Sequence, residues 1–235
     1  MSNLEEALGA IRADRILDVA TGRGDFILLL QEQLGGFGQA VGVDVKSFDL
    51  WQDPKFDPQC IQFKVMDGAK LDFDDASFDL VSISNSLHHL ERPEVVLAEM
   101  QRVLRPGGVF LFHEMYTDRQ SETQLTHTLL HQWWGKIDTA DGVFHRSPYT
   151  RDELLSLLQA AEIDPLDCYD ESDLSENPLD PQLFTELEEI IQRYLSRTQD
   201  PSLITEGQKL LKRVKSIGFH SAPQLFAIGR KGVTK

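Results

Sequence analysis

The chain has 235 residues and a formal net charge of −15, a size that suits one α/β domain with insertions folding on an ordinary hydrophobic core. The acidic balance argues against bulk affinity for DNA or RNA, which depends on neutralising phosphates with Lys and Arg. Cys60 and Cys168 stand far apart in no metal-spaced motif, the first residues form neither a basic nor an apolar leader, and no apolar run reaches membrane-spanning length; a cytoplasmic protein with reduced thiols is therefore expected.

Short apolar, β-rich runs alternate with helical patterns through the first half, the pattern of a parallel sheet covered on both faces. The runs predict strands at residues 16–19, 40–44, 61–66, 78–84 and 109–115. A helix is expected at 25–34, closed by Gly35-Gly36, and another at 93–104, opened by Pro93 at its first position. Pro106-Gly107-Gly108 should then turn the chain into the fifth strand. Beyond it, 119–135 reads as a helix rich in His and Trp, followed by a loop to Tyr149. Thr150 and Glu153 make a capping box ahead of Leu154, Leu155, Leu157 and Leu158. A sixth strand is expected near 163–169. Asp180-Pro181 and Asp200-Pro201 each pair an N-cap with a proline at the first helical position, ahead of apolar residues at helical spacing. The run 224–230 reads as a closing strand. One domain is expected, with helical insertions at 119–149 and 174–218.

The strongest chemical signal is Asp18-Val19-Ala20-Thr21-Gly22-Arg23-Gly24-Asp25, where a strand runs into a loop of small residues and then a helix. Small residues let backbone approach a ligand, and the free N–H groups of a helix start favour a negative group. The spacing is not the G-x-G-x-x-G of a dinucleotide site. Asp44 ends the next strand, where a carboxylate can grip ribose hydroxyls, and Val45 and Lys46 follow it. Met66-Asp67-Gly68 ends the third strand with an apolar side chain and a turn.

This run resembles motif I of class I S-adenosylmethionine (SAM)-dependent methyltransferases, with Ala20 where the first glycine usually stands. Residues 78–90, including Asn85-Ser86-Leu87-His88-His89, and the later Arg102-Val103-Leu104-Arg105-Pro106-Gly107-Gly108 resemble the matching segments of the ubiquinone/menaquinone-type small-molecule methyltransferases. The resemblance implies a Rossmann-like α/β fold: seven strands, mostly parallel, helices on both faces, and helical insertions after the fifth and sixth strands. It implies SAM as cofactor, S-adenosylhomocysteine as product, and a SAM site built from Asp18, Ala20, Gly22, Gly24, Asp44, Val45, Met66, Asp67, Gly68, Asn85 and Ser86.

Methyl transfer from a sulfonium is an in-line displacement, so the protein mainly aligns nucleophile, carbon and sulfur in a dry pocket. His88 and His89 are the candidates for a base, although packing or loop-holding is the preferred reading of the pair. The insertions are the expected substrate lid, with His131, Trp133, Trp134 and Tyr149 as candidate substrate contacts. His127 and His131 have metal-compatible i, i+4 spacing, but no Glu lies between them as in H-E-x-x-H, and no metal is expected. The expected activity is transfer to a small-molecule acceptor. The alternatives are a catalytically inactive SAM-binding scaffold or sensor, or a methyltransferase acting on a protein or RNA.

Overall fold

The computed structural model describes residues 3–163 and 167–232. In chain order the elements are α1 (Asn3–Gly9), β1 (Ala13–Val19), α2 (Asp25–Gln33), β2 (Phe37–Asp44), β3 (Ile61–Val65), β4 (Phe78–Ser84), α3 (Pro93–Val103), β5 (Leu104–Met115), α4 (Glu122–Ala140), α5 (Arg151–Ala160), β6 (Asp167–Glu171), α6 (Pro181–Leu195), α7 (Pro201–Ser216) and β7 (Gln224–Arg230). The strands form one sheet ordered β3-β2-β1-β4-β5-β7-β6. Strands β1 to β5 pair in parallel, and β7 runs antiparallel to both β5 and β6. This is the seven-stranded Rossmann-like sheet that the resemblance implies, with the parallel part that the alternating pattern predicts.

Alternation along each strand sends side chains to two covered faces. Leu17 and Val19 join Val81, Ile83, Phe110 and Phe112 beneath Leu97 and Met100 of α3 and Leu154 and Leu158 of α5. Ile16 joins Ala40, Leu80, Val109 and Leu111 beneath Leu4 and Leu8 of α1 and Ile27 and Leu30 of α2. A third cluster stands apart from the sheet. Leu130, Trp133 and Ile137 of α4 pack on Leu187 and Ile191 of α6 and Leu210 and Val214 of α7.

Several boundaries differ from expectation for local reasons. Strand β1 begins earlier because Asp14 N and Arg15 N both donate to Asp79 Oδ2 at 2.8 Å, which holds polar residues in strand geometry. Pro106-Gly107-Gly108 lies inside β5, not before it. Gly107 takes φ 75°, its N–H donates to Lys231 O at 2.8 Å, and the β4 register shifts between Phe78 and Leu80, so the segment is a bulge. Helix α4 starts three residues later than expected, where Ser121 and Gln124 form a reciprocal capping box, and continues to Ala140. The capping box at Thr150 and the Asp-Pro starts of α6 and α7 form as read. Strand β6 lies at Asp167–Glu171; the expected strand at 163–169 falls partly on residues 164–166, outside the described residues.

Candidate functional site

The loop after β1 meets the carboxyl ends of β2, β3 and β4, the edge where open α/β sheets bind ligands. Ala20 and Gly22 take left-handed backbone, φ 55° and 53°, and Gly24, at φ 86°, is the N-cap of α2. Alanine in that conformation costs on the order of 1 kcal/mol that glycine avoids. At Gly24 an added Cβ would stand 2.8 Å from ring carbons of Phe56 and Phe63, whereas at Gly22 it would meet nothing within 4 Å. The loop therefore packs on one side and faces open space on the other.

Asp18 does not face that space. It is 1 % exposed, and it accepts from Thr21 Oγ1 at 2.6 Å and from Ser82 Oγ at 2.7 Å. Burial raises its pKa to about 6, against the lowering effect of the two hydroxyls. Its carboxylate ties β1, the loop and β4 together. Asp44 is half-buried beside the loop: Oδ2 accepts from Gly22 N at 2.9 Å and Oδ1 from Lys46 N at 3.3 Å. Trp51, which the sequence reading did not single out, donates Nε1–H to Gly22 O at 2.9 Å and stacks on Phe63. A lone Trp in a polar stretch just after the strand-end acid was its only signal.

Val45 is exposed, and Met66 N donates to Asp44 O at 2.8 Å, so the ends of β2 and β3 sit side by side. Asp67 is exposed and closes a turn by accepting from Ala69 N at 2.9 Å; an added Cβ at Gly68 would stand 3.0 Å from Val19. Past β4, Asn85 takes φ 44°, a backbone that Asn tolerates better than most residues. Its N–H donates to His113 O at 2.8 Å and its Oδ1 accepts from Met115 N at 3.2 Å. Ser86 Oγ donates to Ser84 O at 2.7 Å and also lies 3.2 Å from Ala20 O, so the β1 and β4 loops touch.

Behind Ser86 the structure gathers charged and polar groups. Glu114, at the end of β5, is 1 % exposed and accepts from Leu87 N at 2.8 Å, Met115 N at 3.1 Å and His88 Nδ1 at 3.0 Å. His88 is equally buried, whereas His89 is exposed. The loop after α4 docks here, with Arg146 N donating to His88 O at 3.0 Å. It brings His145, whose Nδ1 bonds Asp138 Oδ2 at 2.7 Å and whose Nε2 bonds His131 Nδ1 at 3.1 Å. Ring centroids of His88 and His89, and of His89 and His145, are 4.2 Å apart; His88 and His131 are 4.7 Å apart. Loss of water, then the neighbouring imidazoles, lowers His131 to about 2 and His89 to about 3, although one side of His89 stays open to solvent. His145 is lowered by burial against the opposing pull of Asp138. These three are neutral near pH 7.

The remaining insertion residues divide. Trp133, expected as a substrate contact, is 0 % exposed and donates Nε1–H to Leu203 O at 2.9 Å; it is the core of the α4–α6–α7 layer, because one of two adjacent tryptophans on a packed helix must face inward. Tyr149 is buried too, with the Arg146 guanidinium 3.7 Å from its ring centroid. Trp134 is half-buried, stacked on Tyr194 and edge-on to His131. His127 Nδ1 accepts from Ala222 N at 2.9 Å, and its ring centroid stands 6.0 Å from that of His131.

Residues 17–112 match the family model described as a methyltransferase domain. The chain is 33% identical over 114 residues to a ubiquinone/menaquinone biosynthesis C-methyltransferase from Azotobacter vinelandii, covering 46% of this chain and 45% of that protein. The chain thus spans a little under half the length of that relative. Among solved structures it resembles the YcgJ protein of Bacillus subtilis, with TM-score 0.62 and 14% identity, covering 98% of this chain and 97% of that one. It also resembles the Burkholderia thailandensis 1,6-didemethyltoxoflavin-N1-methyltransferase with bound 1,6-didemethyltoxoflavin and S-adenosylhomocysteine, with TM-score 0.56 and 18% identity, covering 99% and 78%. Among the described residues, no helix is long and apolar enough to cross a membrane.

Proposed function

We infer that this chain, which carries a class I SAM-dependent methyltransferase domain, binds SAM along the carboxyl edges of β1, β2 and β3 and passes its methyl group to a small-molecule acceptor beside β4 and α4. The observation that carries this reading is the pairing of the Gly22 loop with the Asp44 carboxylate, 2.9 Å from Gly22 N. The residues present fit the cofactor. Gly22 opens onto space that a Cβ would enter, and each Asp44 oxygen has a second lone pair beyond the backbone bond it already accepts.

Bound SAM would supply an electrophilic methyl on a sulfonium. In this reading Asp44 accepts from the ribose hydroxyls, Val45 and Met66 flank the adenine, and Asp67 accepts from its amino group. The backbone from Ala20 to Gly24 takes the carboxylate end, and Asn85 and Ser86 bound the amino end. Asp18 acts indirectly by fixing the loop. The α4 side of the cleft, reached through His131 and His145, excludes water from the methyl position. With its pKa lowered to about 3, His89 is a poor base near pH 7, and a proton carried by the acceptor leaves to solvent.

Incubation of the protein with methyl-labelled SAM and a cell extract tests the activity. Label in a low-mass product is the expected outcome. Label confined to protein or RNA would overturn the acceptor class, and tight S-adenosylhomocysteine binding without turnover would leave a binding protein only. Asp44→Asn keeps one acceptor for Gly22 N but loses a charged partner of the ribose, worth about 1.5–3 kcal/mol. Its affinity for S-adenosylhomocysteine by calorimetry should fall about tenfold or more; unchanged affinity would remove Asp44 from the site.

A further inference from the structure

His88, His89 and His145 come from two separate segments, yet one ring nitrogen of each lies within 4.8 Å of one from each of the others. Their protonation is constrained by what they touch. A carboxylate only accepts, so His88 Nδ1 must donate to Glu114 and His145 Nδ1 to Asp138. Neutral rings in those tautomers present bare lone pairs at Nε2. At His145 that lone pair takes a hydrogen from His131, but His88 Nε2 is buried with no hydrogen-bond partner. An orphaned acceptor in a residue 1 % exposed is costly, because burial has stripped it of water without supplying a donor. A histidine whose outer nitrogen is held by a buried carboxylate and whose inner nitrogen points at other histidines is the arrangement by which proteins orient metal ligands.

We propose that His88, His89 and His145 hold a divalent transition-metal ion such as zinc, with Glu114 and Asp138 as the outer carboxylates and a fourth position left to the cleft or to His131. Zinc–nitrogen bonds of about 2.0–2.1 Å in a tetrahedron put ligand nitrogens roughly 3.3 Å apart. The nitrogens stand within 4.8 Å of one another, so the rings must turn inward to reach that spacing, and His89 is exposed on one side. The ion would replace the hydrogen bond that His131 now gives His145. This departs from the sequence-based expectation of no metal, which weighed only the His127 and His131 pair.

Binding of the ion does not depend on the methyl-transfer reading. Its consequence does: an ion beside β4 would favour acceptors whose hydroxyl, enol or phenol oxygen can bind it as an anion, the proton going to solvent.

The test uses the full chain stripped with a chelator and titrated with Zn2+ alone, without SAM, followed by Co2+ for its visible spectrum. Expected are uptake of the ion, stabilisation against heat, and cobalt bands of tetrahedral intensity with nitrogen ligands. His89→Ala, exposed and therefore foldable, should weaken Zn2+ binding at least about tenfold, and Glu114→Gln should do so by about 10–100-fold through ligand orientation. No uptake by the wild-type chain, or equal uptake by His89→Ala and His145→Ala, overturns the proposal. S-adenosylhomocysteine binding measured on the same stripped protein reports separately on the cofactor site, so loss of one result leaves the other readable.

Discussion

Asp18 makes the sharpest test of how the cofactor loop is held. Its carboxyl group is buried with only hydroxyl partners, and burial raises its pKa from 3.8 to about 6. A shift of roughly 2 units corresponds to about 3 kcal/mol. The sign follows from linkage: the native state binds the proton more tightly than the unfolded chain, so Asp18 costs stability progressively as pH rises from about 4 to 6, and the full cost stands above that window. Acid-labile carboxylates behave in the opposite way. Asp18→Asn removes the charge and keeps the shape, and Thr21 or Ser82 can turn its hydroxyl to accept from the new amide. Urea unfolding of both proteins at about pH 4.5 and about pH 7.5 should show the stability difference, variant minus wild type, growing towards neutral pH by about 2 kcal/mol, since about 1 kcal/mol of the cost is already present at about pH 4.5. Histidine titrations common to both proteins cancel in that difference. A difference that is flat or shrinks with rising pH would refute the view that Asp18 is an uncompensated buried acid.

The two motif glycines should separate in the same assay. Gly24→Ala forces a Cβ against Phe56 and Phe63 at φ 86° and should cost about 1–3 kcal/mol of stability. Gly22→Ala meets no atom, so its stability loss should be near the 1 kcal/mol or so of backbone strain, with the larger effect falling on S-adenosylhomocysteine affinity. Trp133→Ala should lower the denaturation midpoint by the equivalent of about 3–5 kcal/mol, as expected for an aromatic core truncation. If Trp133 instead contacts the acceptor, turnover would fall with little change in stability.

The parts of the molecule that were legible in the sequence are those specified by neighbours along the chain. Strands β4 and β7 could be bounded closely because their apolar runs are flanked by polar residues and Pro or Gly, and the caps of α5, α6 and α7 because side chain and N–H lie two or three residues apart. The loop Ala20 to Gly24 belongs to this class, since its positive φ values demand small residues in one short run. What could not be read depends on docking. The β5 bulge needs Lys231 beside Gly107, and Trp51 needs the β1 loop within reach. The partition of Trp133 from Trp134 needs α6 and α7. The histidine group is the extreme case. The metal-like spacing read along the chain, His127 and His131, has one of its nitrogens, His127 Nδ1, taken by Ala222 N from the segment before β7. His131 is brought to His88 and His145 instead by α4 lying against the turn after β4 and by a loop whose register is fixed at Arg146 N. No local pattern marks such a cluster. It becomes visible only where Glu114 and Asp138, acids from two different elements, are found fixing the same ring nitrogen of His88 and His145 and leaving the opposite nitrogens turned inward.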